Sequence, residues 1–135
     1  REYLMISVLS QKYNIQTNIN DSDTEIENPI SLKLYFSEDI IFNKNKKKAC
    51  FDANKLKFPL QLRKWEDGDF FFPIGMNGSK KLSDYFIDEK FSRFKKEEIF
   101  LLCSEGEIVW IIGHRMDDRF KITDKTKKAY IAELF

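Results

Sequence analysis

The residue types in this chain that could do chemistry are cations set among glycines, not nucleophiles. Between Trp65 and Asp88 the sequence reads WEDGDFFFPIGMNGSKKLSDYFID, and this stretch holds three of the five glycines. Asp67-Gly68, Pro73-Ile74-Gly75 and Asn77-Gly78 are turn signals. Ser79 is a good helix N-cap, and Leu82, Tyr85 and Phe86 stand at i, i+3 and i+4, so the pattern predicts a helix over about 79–90. Lys80 and Lys81 then occupy its first turn, where the helix dipole disfavours each cation by roughly 0.3–1 kcal/mol. An anion held there would remove the penalty. Free N–H groups behind a Gly-Ser turn, with two ammonium groups, describe a phosphate cradle. The plainer alternative is a pair of lysines pointing into water, and the stretch does not match the G-x-x-x-x-G-K-[ST] phosphate loop.

A second candidate follows the apolar run 108–112. Arg115 and Arg119, four residues apart after Gly113, could present planar guanidinium groups to phosphates, or pair with Asp117 and Asp118 beside them. Arg93, with Lys95 and Lys96, is a third basic cluster, and Lys44, Lys46, Lys47 and Lys48 read as a solvated loop. A catalytic constellation does not assemble. His114 is the only histidine in the sequence, no nucleophile elbow surrounds Ser79 or Ser104, and adjacent acids such as Asp117 and Asp118 more often bond an arginine than do chemistry.

Composition sets limits on these sites. At 135 residues the chain is one ordinary domain with room for a real core, and thirteen phenylalanines make that core aromatic. The net charge is +1, so any nucleic-acid contact must be local. Cys50 and Cys103 are single and set in apolar surroundings, which predicts buried, reduced thiols, fits a cytoplasmic protein, and gives no zinc spacing. No apolar run approaches the ~18 residues that span a membrane. The chain begins with Arg and reads as a fragment that starts inside a longer protein.

The elements that must position the cations are short. Residues 3–9 and 13–19 alternate like strands joined through Ser10-Gln11-Lys12, 20–28 reads as a loop, 30–36 alternates again, and 40–42 and 49–52 read as short strands. Residues 57–65 place Phe58, Leu60 and Leu62 on one face, with Pro59 at an edge or bulge. Ser92 is placed to cap a second helix through Ile99. Residues 100–103 and 108–112 flank Ser104-Glu105-Gly106-Glu107, a hairpin signal, and 129–135 closes the chain as a strand. The fold class expected is α+β: mainly antiparallel short strands in a sandwich-like domain with one or two short helices.

The order of four motifs then becomes recognisable. LRKWEDGD, F-x-P-I-G-M, GSKKLSDYFID-x-K and EIVWIIGHRMDDRFKIT together resemble the C-terminal domain of bacterial tRNA(Ile)-lysidine synthetase. The resemblance covers about 49–135 as a tRNA-binding domain, leaving 1–48 as N-terminal strands and loop of the same domain or a linker. It implies a compact sandwich that grips the tRNA body and acceptor stem. A separate N-terminal catalytic domain, with a Ser-Gly-Gly-x-Asp-Ser loop, would use ATP and Mg to join lysine to the wobble cytidine. No such loop occurs in these 135 residues, so no cofactor is expected in this part. The partners implied are tRNA(Ile), that catalytic domain and, as a homodimer, a second copy of the chain, with no membrane. Carried over by position, the family's Lys-Lys-Leu-Ser-Asp falls on Lys80 to Asp84, its first-motif arginine on Arg63, and its last Arg pair on Arg115 and Arg119. Where the family has Gly-Asp-Arg-Phe, this chain has Gly68-Asp69-Phe70-Phe71. Phe70 would either stack on an exposed base or fill core, and core is the expectation. The alternative from another class is a structural or dimerisation module without RNA contact.

Overall fold

Two antiparallel sheets face each other because the alternating strands each have one apolar side to bury. The computed structural model describes residues 16–42 and 44–135. The first sheet has five strands in the order β1-β5-β8-β9-β10: β1 (Thr17–Ile19), β5 (Leu60–Lys64), β8 (Phe100–Ser104), β9 (Glu107–Ile111) and β10 (Arg115–Met116). The second has four, in the order β2-β3-β11-β4: β2 (Glu25–Ile26), β3 (Leu32–Ser37), β11 (Ala129–Leu134) and β4 (Lys48–Asp52). Between them lies a core of Ile19, Leu60, Leu62, Leu102 and Trp110 from one side and Leu34, Phe51, Tyr130 and Ala132 from the other.

The apolar runs in β8 and β9 are continuous because the five-stranded sheet is covered on both faces. Leu102 points into the sandwich core, while Leu101 and Cys103 point the other way, against Leu82, Tyr85 and Phe86. Those three belong to helix α1 (Leu82–Asp88), which is followed by α2 (Arg93–Glu97). Ser92 caps α2 as expected, its hydroxyl accepting from Lys95 N at 3.1 Å. A two-stranded ribbon of β6 (Phe70–Phe71) and β7 (Lys80–Lys81) completes the strands.

The β8–β9 hairpin forms where its turn residues predict it. Glu105 and Gly106 both have positive φ, 49° and 82°, as a two-residue primed turn requires. Both cysteines are buried and free, and burial pushes the Cys103 thiol up to about 11.

Several expectations need correction. Residues 20–28 are not all loop, because Glu25 and Ile26 pair with Lys33 and Leu32. Residues 40–42 form no strand; Ile41 and Phe42 are exposed and have no ladder partner among the described residues. The expected strand over 3–9 and its turn lie outside the described residues, and of 13–19 the described strand is Thr17–Ile19.

Candidate nucleic-acid interface

Asp69 organises the first part of the site. The guanidinium of Arg63 on β5 grips its carboxylate in two parallel bonds, Nη1 to Oδ2 and Nη2 to Oδ1, each 2.9 Å. The two side chains are 13% and 14% exposed, so the planar fork works largely out of water, where paired geometry counts most. The same carboxylate accepts from Glu66 N at 2.7 Å, which closes the turn around Gly68. The Asp69 carbonyl accepts from Leu82 N at 3.0 Å, the first donor of α1. One residue thus joins β5, the ribbon and the start of the helix.

This arrangement overturns the expected helix over 79–90. Ser79 is not its cap, and α1 begins three residues later, at Leu82, with Lys81 at the N-cap position and no side-chain cap. Lys80 and Lys81 are extended instead, held in a ladder opposite Phe71 and Phe70. The cross-strand bonds and the Asp69 carbonyl satisfy backbone groups that Ser79 was expected to serve, so the lysines do not sit in a helical first turn and that form of the phosphate cradle is absent.

The ladder sorts the two lysines by face, because directly opposed residues share a side of a ribbon. Lys80 lies with buried Phe71 and pairs with Asp88. Lys81 lies with Phe70 on the outer face and is exposed. It makes no ion pair among the described residues. Phe70 is 50% exposed, which corrects the expectation that it fills core. In the run Phe70-Phe71-Phe72 it is the middle ring that turns inward.

The last motif is built on a buried acid. Asp117 is completely buried, and its two oxygens accept from Phe72 N (2.9 Å), Arg119 N (2.8 Å), Arg119 Nε (3.0 Å) and Arg119 Nη2 (3.0 Å). Arg119 also reaches Glu107 at 2.8 Å and lays its guanidinium over the Phe72 ring, 4.3 Å from its centroid. Of the two readings of this segment, internal Arg-Asp pairing is realised at Arg119, which keeps a side chain 30% exposed. Asp118 bonds Lys121 Nζ and Gly75 N, and the Lys121 bond first holds its carboxyl below the usual range.

These bonds bring the separate motifs together. Ile74 N donates to Met116 O at 3.0 Å, Asp118 N to Phe72 O at 2.6 Å, and Arg115 Nη2 to Ile74 O at 2.6 Å. The loop that joins the two strands of the ribbon is therefore stitched to the segment 115–118, and Arg63, Lys80, Lys81, Arg115 and Arg119 all lie on one connected framework. Arg93 is on α2, exposed, with no ion pair among the described residues. Sequence reasoning offered Asp117 as an arginine partner, and missed its bond to the Phe72 amide and the role of Asp69 as the partner of Arg63. Nothing in the uniform run Phe70-Phe71-Phe72 marks which rings are exposed, and nothing local marks Asp69.

Among the described residues there is no group of three or more His, Cys, Asp or Glu that could hold a metal ion. No helix among those residues is long and apolar enough to cross a membrane. Fold and site define an antiparallel sandwich domain with a cationic, aromatic ribbon on the outer face of its five-stranded sheet. Residues 60–133 match the family model for the TilS substrate C-terminal domain, more than half of the chain, and the chain belongs to that family. It is 48% identical over 135 residues to a tRNA(Ile)-lysidine synthase of Parabacteroides distasonis, covering 97% of this chain and 31% of that protein. A tRNA(Ile)-lysidine synthase of Bacteroides thetaiotaomicron is 46% identical over 99 residues, 73% of this chain and 23% of the relative. The chain thus spans about a third or less of the length of these relatives. The crystal structure of a TilS C-terminal domain superimposes with a TM-score of 0.68 at 18% identity, covering 87% of this chain and 88% of that one, and so shares the fold.

Proposed function

We propose that this chain is the tRNA-gripping domain of a cytoplasmic tRNA(Ile)-lysidine synthase, in which a separate N-terminal domain uses ATP and Mg to join lysine to the wobble cytidine. The observation that carries the reading is Lys81, exposed and without an ion pair among the described residues, on a ribbon that Arg63 and Asp69 fix in place. A phosphate satisfies such a cation without dismantling the fold. Lys80, Lys81, Arg93 and Arg115 contact backbone phosphates, while Arg63 and Arg119 act mainly through the acids they hold. Recognition is by shape and charge, because the deep major groove of A-form RNA hides its base edges from side chains. Binding energy gained here orients a distant anticodon in the catalytic domain.

The test is binding of the isoleucine tRNA transcript across a salt series, for the parent and for Lys80→Ala/Lys81→Ala. Affinity should fall steeply with salt, and the variant should bind more weakly with a log–log slope reduced by roughly 1 per lost phosphate contact. Salt-independent binding, or a variant indistinguishable from the parent, would replace this reading with that of a docking module that makes no RNA contact.

A further inference from the structure

Phe70 occupies a position at which a ring is presented to solvent and held still. The ladder fixes its backbone opposite Lys81, and its ring meets Phe72 edge-on with centroids 6.1 Å apart. Phe72 is itself clamped, its amide by Asp117 and its face by the Arg119 guanidinium. A half-exposed phenyl ring gains nothing from this rigidity in the free protein. Next to it lies a shallow cavity of about 110 Å³ lined by Gly68, Asp69, Phe70, Glu107, Ile108 and Arg119.

We propose that Phe70 is the stacking platform for an unpaired nucleobase of the bound RNA, with Lys81 on the same face taking the phosphate of that nucleotide or its neighbour. The proposal rests on the RNA-gripping reading and deepens it, adding a single-stranded element to a surface otherwise suited to duplex. Three features select a nucleotide over an apolar protein segment. The ring is half exposed, Lys81 stands opposite it across the ladder as a cation without an ion pair among the described residues, and the cavity beside it has more polar and glycine positions than apolar ones, with Ile108 its one aliphatic member. A nucleotide offers a flat π face and an anion, which match the ring and the cation that the ladder sets opposite each other. The base must be unpaired, because paired bases bury their faces in the helical stack, whereas splayed bases stack on aromatic side chains whatever their sequence.

The experiment compares parent, Phe70→Ala and Phe70→Trp on two RNAs: the isoleucine tRNA transcript, and a blunt, fully paired RNA duplex. Phe70→Ala should weaken tRNA binding roughly 5- to 150-fold, the range for losing one base stack, with the salt slope unchanged. It should leave duplex binding as it was, and Phe70→Trp should retain the tRNA affinity. Equal tRNA affinity for parent and Phe70→Ala overturns the stacking role while the phosphate grip stands. Equal losses on tRNA and duplex overturn it too, since the ring would then act through the shape of the ribbon. A parent that binds neither RNA removes the RNA-gripping reading itself.

Discussion

Removing the carboxylate of Asp69 should damage the domain far more than its position in a surface turn suggests. In Asp69→Ala the Arg63 guanidinium loses both 2.9 Å bonds while 13% exposed. Breaking a buried pair from one side costs about 3–5 kcal/mol, because the remaining charge is desolvated without compensation. Glu66 N also loses its acceptor, adding about 1 kcal/mol. Against a total stability of about 5–15 kcal/mol this is a large loss, and at about 3 °C per kcal/mol the midpoint should fall by about 12–18 °C. Removing both charges together, as Arg63→Met/Asp69→Leu, should cost much less than Asp69→Ala, since apolar groups of similar size replace the pair. Urea unfolding followed by circular dichroism on Arg63→Met, Asp69→Leu and the double yields the coupling directly, with Asp69→Ala measured alongside. A cost below about 1 kcal/mol for Asp69→Ala, or a double variant as unstable as the sum of the singles, would refute the reasoning.

Two further outcomes follow from buried polar groups. The Tyr130 hydroxyl is buried in the sandwich core and has no hydrogen-bond partner among the described residues, so Tyr130→Phe should leave the unfolding free energy from urea titration unchanged or raise it, by up to about 3 kcal/mol; a clear loss of stability would reveal an acceptor. His114, packed 4.8 Å from the Phe91 ring, has its pKa lowered by burial first and then by Lys95 and Lys46. With the folded value depressed, the unfolded chain takes up the proton first, so stability should fade as pH drops below about 6.5. His114→Gln should flatten that part of a stability-against-pH curve, and a parent curve already flat between pH 5 and 7 would contradict the assignment.

The parts of the fold legible in the sequence are those specified by neighbouring residues. The β8–β9 hairpin needs positive φ at Glu105 and Gly106, which the Glu-Gly pair permits. Ser92 caps α2 from within three residues, and alternation in 30–36 marks β3. The same local logic misplaced the start of α1. Ser79-Lys80-Lys81 reads as a helical first turn, yet the ladder to Phe70 and Phe71 holds the lysines extended. Phe70 was misassigned to the core for a related reason, since a run of three phenylalanines looks uniformly apolar until a ribbon gives it two faces.

The sequence by itself determined the fold class, the kinship of its four ordered motifs and the stock of cations, because periodicity and motif order are properties of the chain alone. Only the tertiary structure decided which cations are free. Asp69 engages Arg63 across six residues of sequence, and Asp117 reaches Phe72 across 45. Such pairings depend on how strands register and which side chains lose water together. Lys81 and Phe70 are left facing solvent because every bond that shapes the ribbon is made behind them.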